Sequence, residues 1–375
     1  MTNHLETKNL EAEAQASSSA PHRLNVYSLL LEQLISGEKL SCTQAEEVFG
    51  QILQGHVPDA MVAALLVVMR TRGESPEELA GAVKAVRALM QQVPDVADNA
   101  IDVCGTGGDG QKTFNISTAV AFVVAAMGVP VAKHGNRALS SRSGAIDVLG
   151  ALGVLPEGNP VVLSRQIRQH NIAFLSAPLH HKGFAHVSHI RKALGVRTLF
   201  NLLGPLCNPA GVKRQLVGVY APQWLLPVAQ TFHNLGAENV IVLTGTTEKG
   251  AFTDELTLAG PNRLAVLREK EVFNLTFTAE DIGLKPAPVS AIAGGSSQEN
   301  AAALERVLQG EKSPYRDIVL LNTVFALQVA EKVNVIKNGS VDKKSFQEAS
   351  AAVAKIIDEG KAFNVLNALR HTLLT

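Results

Sequence analysis

Ile101-Asp102-Val103-Cys104-Gly105-Thr106-Gly107-Gly108-Asp109-Gly110, then Phe114-Asn115-Ile116-Ser117-Thr118, then, after an apolar run, Lys133-His134-Gly135-Asn136-Arg137, reads as strand, glycine turn, helix, second strand and basic turn. After Ala100 strands and helices go on alternating, and each helix is short enough to cross between parallel strands, which predicts an α/β fold with a mainly parallel central sheet. The same stretch has the parts of an anion site. Glycines let backbone amides approach a phosphate, and Asn115, Ser117 and Thr118 offer donors where a helix begins and its dipole favours negative charge. The spacing predicts an apolar helix from Ala119 to Met127, stopped by Gly128. Val129-Pro130-Val131-Ala132 then reads as a short buried strand that delivers Lys133 and Arg137 to the same edge.

Gly105, Gly107 and Gly110 also spell G-x-G-x-x-G, the dinucleotide fingerprint. That motif opens its helix on the glycines and ends its second strand in an acidic residue that holds ribose hydroxyls. Here five residues, Gln111 to Asn115, follow the last glycine, and the second strand ends in Lys133-His134. A basic residue suits a 2'-phosphate, so an NADP enzyme stays as an alternative, as does a glycine loop without a ligand.

At 375 residues the chain can bury a large core and is expected to hold a large domain with a smaller one. Its formal net charge of +0 removes the electrostatic case for general nucleic-acid binding and leaves anion recognition to local clusters. Cys42, Cys104 and Cys207 form neither a zinc pattern nor a disulfide framework and suit a reducing cytoplasm. The apolar run Thr118 to Ala132 is too short for a membrane span and is broken by Gly128 and Pro130, while Glu6 and Glu11 sit where a signal peptide would be basic.

Residues 1–23 are polar and are expected to form a disordered tail. From Val26 to about Gln92 the pattern is all-helical: Ser41 is placed to cap Thr43 to Leu53, Pro58-Asp59 opens Ala60 to Thr71 with Gly73 closing it, and Ser75-Pro76 starts another helix. Val240 to Leu243 reads as a buried strand ending at Gly245. Leu304 to Leu308 and Ile318 to Glu331 read as two closing helices.

Four further constellations could carry chemistry. Lys133 to Arg137 is followed by Ser140-Ser141-Arg142-Ser143-Gly144 at the start of a helix over Ala145 to Leu152, a second phosphate cradle that suits a sugar with a pyrophosphate and a monophosphate. His134 could either touch substrate or orient this loop through the backbone. Asp254-Glu255 is either a solvated loop or, beside phosphates, a pair for Mg2+. Arg191 among apolar positions is a fork for a carboxylate or a structural ion pair. Phe200 to Pro209 reads as a rigid connection between domains, without assigned chemistry.

Together, GTGGDG, FNIST, KHGNR with SSRSG, IRKALGVRTLFNLLGPLCNP and the Asp-Glu pair resemble the anthranilate phosphoribosyltransferases, within the nucleoside-phosphorylase-like phosphoribosyltransferases. The resemblance runs from about Val26 to the C-terminus and includes Glu299-Asn300 and Arg316-Asp317. It implies a helical domain over 24–97, joined by part of 188–212, and an α/β domain over 98–375, usually as a homodimer. It implies transfer of the 5-phosphoribosyl group from phosphoribosyl pyrophosphate to anthranilate, giving N-(5-phosphoribosyl)anthranilate and pyrophosphate, the second step of tryptophan biosynthesis from chorismate.

The resemblance places the donor on Gly105, Gly108, Asp109, Thr113, Asn115, Ile116, Ser117, Thr118, Lys133, His134, Gly135, Asn136, Arg137, Ser140 and Ser141. It places anthranilate on Gly105, Asn136 and Arg191, and two Mg2+ on Ser117, Asp254 and Glu255. No dedicated general base, nucleic-acid partner or membrane is implied. The chain departs from the family pattern at Lys182-Gly183-Phe184, at Ala145 where many members carry serine, and in the long approach Thr244 to Thr253. Two rivals on the same fold are a pyrimidine nucleoside phosphorylase, opposed by the Asp-Glu pair and Arg191, and a non-catalytic nucleic-acid-binding relative, opposed by the neutral charge.

Overall fold

The computed structural model describes residues 26–136 and 143–372. The polar tail and Arg137, Ser140 and Ser141 lie outside the described residues. The described residues begin with four helices: α1 (26–35), α2 (Cys42–Leu53), α3 (Asp59–Arg72) and α4 (Pro76–Leu89). Two capping boxes set their starts, Ser41 with Gln44 and Ser75 with Glu78, as the serine spacing predicts. Glu78 also accepts from the Leu40 amide at 2.9 Å and pairs with Arg72 at 2.5 Å, so a fully buried carboxylate is compensated from three directions. At Gly81 α4 approaches α2 so closely that a Cβ would lie 2.6 Å from that of Ala45.

The central sheet holds β1 (Ile101–Gly105), β2 (Val131–Gly135), β3 (Ile172–Ser176), β4 (Arg214–Gly218), β5 (Asn239–Thr246), β6 (Phe252–Thr253), β7 (Asn262–Arg268) and β8 (Glu271–Phe277). Their order is β3-β2-β1-β4-β5-β7-β8, with β6 paired to β5. The first five run parallel; β6, β7 and β8 are antiparallel additions joined without crossover helices. The mainly parallel sheet matches the sequence reading, and this antiparallel edge does not appear in it. From β1 the chain steps outward through β2 and β3, then returns to β4 on the other side and continues to β5. That reversal opens a crevice beyond the carboxyl ends of β1 and β4, the switch point where ligands bind in such sheets.

Side chains alternate across the sheet into two cores. Val103, Leu216, Ile241, Leu243 and Leu264 face one, built with α5 (Ile116–Ala126), α12 (Ser297–Leu308), α13 (Pro314–Val329), α14 (Lys343–Asp358) and α15 (Lys361–Thr372). Val217, Val240, Val242 and Ala265 face the other, which they share with the N-terminal helices, α9 (Ala185–Leu194), α10 (Phe200–Leu206) and α11 (Leu225–Asn234). The segment after β3 thus returns to pack Val187, Ile190 and Phe200 with Phe49, Leu53 and Val83.

Several boundaries differ from the sequence reading, three of them at the site or in the chain's last third. α5 starts at Ile116, three residues before the apolar run, which puts Ser117 in its first turn. β2 starts after Pro130, which has no amide to donate, and extends to Gly135 because Lys133, His134 and Gly135 pair with Phe174, Leu175 and Ser176. The two helices expected to close the chain lengthen into α12 and α13, and α14 and α15 follow them.

Candidate active site

Both lips of the crevice end in glycine. Gly105 closes β1, Gly218 closes β4, and the two are in register. A Cβ at Gly105 would overlap the Asp254 carboxylate, and one at Gly218 would overlap the Asp254 main chain. Two missing side chains therefore let the Asp254-Glu255 segment, delivered by the β5–β6 hairpin, settle between the strand ends. The long approach that departs from the family pattern forms this hairpin: Thr247 and Ala251 close its turn by a 2.8 Å backbone bond, and β6 follows.

From that position the two carboxylates diverge. Asp254 Oδ2 accepts the Gly107 amide at 2.7 Å, and the Asp254 amide donates to Asp109 Oδ2 at 3.4 Å. Glu255 Oε1 accepts the Ser117 amide at 3.1 Å, in the first turn of α5. Lys133 reaches up from β2 and donates to the Val103 carbonyl at 2.6 Å and to Ser117 Oγ at 3.2 Å. A cation, a helix start, a glycine turn and two carboxylates thus meet at one point of the sheet.

Burial lifts both carboxyls. Asp254 rises well above the usual carboxylate range, first by desolvation and then by repulsion from Asp109 and Glu255. Glu255 is pushed up to about 7 by desolvation, opposed by Lys133 and by the Ser117 hydrogen bonds. Among the described residues no three or more His, Cys, Asp and Glu side chains gather as a complete metal cage. Two crowded carboxylates with a hydroxyl nearby are what Mg2+ accepts, since it keeps waters and takes substrate phosphate oxygens for the rest of its shell.

The start of α5 is unusual. Asn115 occupies the cap position, but its side chain accepts from Asn300 Nδ2 at 3.0 Å and makes no bond to the helix amides. Tyr315 donates to the Asn115 carbonyl at 3.1 Å and stacks on Phe114 with ring centroids 4.6 Å apart. Thr113 is bridged to Ala293, and the Phe114 amide donates to Ile292 at 2.9 Å. The loop is therefore held from behind by the α12–α13 region, leaving the helix start without its usual cap. Ile116 and Thr118 bury their side chains, and the Ile116 amide donates to the Phe114 carbonyl at 2.9 Å.

His134 is settled by its partners. The Gly204 carbonyl lies 3.0 Å from Nδ1 and can only accept, so Nδ1 carries the proton. Nε2 then accepts from His181 Nε2 at 3.1 Å. Burial lowers the two imidazoles to about 3 and about 4, so both rings are neutral at pH 7. Asp102 holds the His134 amide at 3.1 Å and Asn208 Nδ2 at 2.7 Å. The Phe200 to Pro209 connection, whose sequence suggests no chemistry, thus fixes the tautomer of His134 through Gly204 and its backbone through Asn208 and Asp102.

Arg191 lies on α9, half-buried, with its guanidinium carbon 5.6 Å from the Phe200 ring centroid. Phe184 sits between His181 and Phe200, edge to face with both at 5.7 and 5.6 Å. Gly183 brings this turn against α2, where a Cβ would be 3.0 Å from the Leu53 carbonyl. The unusual Lys182-Gly183-Phe184 turn therefore builds an aromatic wall beside Arg191. Asn136 is exposed at the end of β2, and beyond the undescribed residues Ser143 Oγ accepts from Asn300 at 3.0 Å. Gly135 lies against Ala145 of helix α6 (Ala145–Ala151), where a Cβ would be 3.4 Å from that of Ala145.

The profile of the glycosyl transferase family a/b domain matches residues 97–363, and that of the family's helical bundle domain matches 28–90. The anthranilate phosphoribosyltransferase of Gluconobacter oxydans is 48% identical over 344 residues, covering 92% of this chain and 94% of that protein. The chain belongs to the anthranilate phosphoribosyltransferase family. The Paramagnetospirillum magneticum anthranilate phosphoribosyltransferase is 45% identical across 93% of this chain and 97% of its own. The crystal structure of anthranilate phosphoribosyltransferase from Thermus thermophilus superposes with a TM-score of 0.83 at 38% identity, over 92% of this chain and 99% of that one. That from Saccharomyces cerevisiae, in complex with phosphoribosyl pyrophosphate and Mg, superposes with a TM-score of 0.78 at 28% identity, over 92% of this chain and 96% of that one.

Within this anthranilate phosphoribosyltransferase fold, Gly105, Gly108, Asp109, Ser117, Lys133, Asp254 and Glu255 gather at the switch point, while Arg191 and the His134–His181 pair line the side toward α9 and α10. Sequence reasoning gives no role to Tyr315, Asn300, Arg197 or His181, although Asn300 and Arg197 lie in segments that carry the resemblance. Asn300 and His181 were visible as polar residues beside motifs, but only the fold shows that they reach Asn115 and His134.

Proposed function

We infer that this crevice is where the enzyme transfers the 5-phosphoribosyl group from phosphoribosyl pyrophosphate to the amine of anthranilate. The observation that carries the reading is the meeting of Lys133, the start of α5 that Asn115 leaves without a side-chain cap, and the Asp254-Glu255 pair at the carboxyl ends of β1 and β4. In this reading Gly105, Gly108, Asp109, Thr113, Asn115, Ile116, Ser117 and Thr118 receive the pyrophosphate end. Lys133, His134, Gly135, Asn136, Arg137, Ser140 and Ser141 form the second phosphate cradle, with Lys133 reaching the pyrophosphate end at Ser117, and Gly105, Asn136 and Arg191 face anthranilate.

Ser117, Asp254 and Glu255 would hold Mg2+, which would supply positive charge against the departing pyrophosphate and let the two carboxylates stay ionised despite their burial. Two ions occupy each site in this reading, Ser117 touching one and Asp254 with Glu255 holding the other. Lys133 and the loop amides add fixed charge and dipoles where negative charge grows, which need not reorganise during reaction. Arg191 forks onto the anthranilate carboxylate and turns its amine toward the anomeric carbon; positioning of this kind is worth roughly 7 to 11 kcal/mol in favourable cases. Anthranilate's amine is already neutral near pH 7, and both nitrogens of His134 are occupied, so attack proceeds without a dedicated general base.

Leu29 and Ile35 of α1 and Val67 of α3 expose apolar side chains, 59%, 66% and 40% accessible, which supports a homodimer through the helical unit. The three cysteines are free, which supports a reducing, cytoplasmic compartment; among the described residues no helix is long and apolar enough to cross a membrane. The test is incubation with phosphoribosyl pyrophosphate, Mg2+ and anthranilate. Anthranilate fluorescence should fall with equimolar pyrophosphate release, and turnover with inorganic phosphate and a pyrimidine nucleoside instead would refute the reading.

A further inference from the structure

Arg197 stands in the short link between α9 and α10, exposed to solvent and without a role in the reading above. Its Nη2 donates to the Gly108 carbonyl, and its guanidinium lies over the Tyr220 ring, 4.2 Å from the centroid. Tyr220 follows β4 and donates its amide to Thr106 Oγ1 at 3.1 Å, while the Thr106 amide donates to the Gly218 carbonyl at 2.9 Å. The glycine turn is therefore gripped at Thr106 by the end of β4 and at Gly108 by a side chain lying on the same β4 extension.

The grip has a directional consequence. No peptide bond among the described residues is cis. In a trans peptide the carbonyl oxygen and the amide hydrogen point to opposite sides. An arginine holding the Gly108 carbonyl thus turns the Asp109 amide away from itself. Gly107 and Gly108, at φ of 68° and 75°, sit in a backbone region that glycine enters readily, so side chains must select the orientation of the turn. Asp254 holds the Gly107 amide and Asp109 on either side, and Arg197 is the side chain that holds the carbonyl between them.

We propose that Arg197 is a positioning residue, which clamps the Gly108–Asp109 peptide so that the turn presents its amides to the pyrophosphate of the donor. Tyr220 serves as the flat platform that keeps the guanidinium in place. The proposal rests on the assignment of the glycine turn to the pyrophosphate.

Arg197→Ala, Arg197→Lys and Tyr220→Leu are compared with the parent in full steady-state kinetics, with donor uptake measured separately by calorimetry in the presence of Mg2+. Because Arg197 is exposed, the alanine variant should melt close to the parent. Its kcat/KM for phosphoribosyl pyrophosphate should fall roughly tenfold or more, the loss of one charge-assisted hydrogen bond, while KM for anthranilate stays within about twofold. Lysine, which can also donate to the carbonyl, should recover part of the loss, and Tyr220→Leu should reproduce part of it. Unchanged donor kinetics in the folded alanine variant, or an equal fall for both substrates, would overturn the proposal. If the parent itself takes up no donor, the assignment of the turn fails first and the proposal with it.

Discussion

Gly245 offers the sharpest test of how Asp254 and Glu255 are placed. It lies near the end of β5, paired with Thr253 on one side and Asn262 on the other. A Cβ built there would stand 2.5 Å from the Glu255 carbonyl oxygen, 2.7 Å from Thr253 Oγ1 and 2.8 Å from Thr257 Cγ2. Ordinary contact begins at 3.4 Å, so in Gly245→Ala the Glu255 backbone must retreat by about 0.9 Å or the strand must move equally. The same methyl intrudes on the 2.6 Å bond from Thr253 Oγ1 to the Glu255 carbonyl. Overpacking of this kind costs about 1 to 3 kcal/mol of stability. A misplacement near 1 Å at a catalytic group costs on the order of 10²-fold in rate. The variant should therefore fold with a lowered melting temperature, turn over about a hundredfold more slowly, and need more Mg2+ for half-maximal rate. Gly50→Ala is the control: nothing lies within 4 Å of its Cβ, and alanine in the middle of α2 should raise stability by about 0.5 to 1 kcal/mol without touching kcat. Calorimetry and anthranilate fluorescence measure both. A folded Gly245→Ala enzyme with kcat within about twofold of the parent would refute the dependence of catalysis on the seat of Glu255.

Asp254→Asn with Glu255→Gln should abolish turnover while leaving the apo protein at least as stable as the parent at pH 8, because it removes two crowded, buried charges; normal activity would remove the metal assignment. The pH dependence has a definite sign. Folded Glu255 holds its proton up to about 7 whereas the unfolded side chain loses it near 4.5, so the folded state binds more protons in that window and stability falls as pH rises through it. Melting temperature followed without Mg2+ from pH 4.5 to 7 should drop, and Glu255→Gln should flatten the slope; an identical slope in both proteins would count against the burial of this carboxyl. Arg191→Ala should raise KM for anthranilate far more than KM for the donor, and equal changes would make Arg191 structural.

Much of this protein is written locally. Ser41 and Ser75 cap the helices that their spacing announces, and glycines at 105, 107, 108 and 110 mark a turn followed by donors at a helix start. These features depend on backbone sterics and on hydrogen bonds a few residues long, so periodicity and residue type suffice to read them. Asp254 bonds to a glycine 147 positions earlier, and its fit depends on two strand ends lacking side chains in register. Asn115 looks like an ordinary cap, yet its side chain is taken by Asn300, 185 residues away. His134 has its tautomer set by Gly204, and Arg197 reaches Gly108 only because the link after α9 folds back over the end of β4. Composition and order along the chain determined which chemical groups were available. Their burial, their mutual repulsion and the direction of each donor were decided by the tertiary structure, because desolvation and Coulomb energy depend on distance in space and not on separation in sequence.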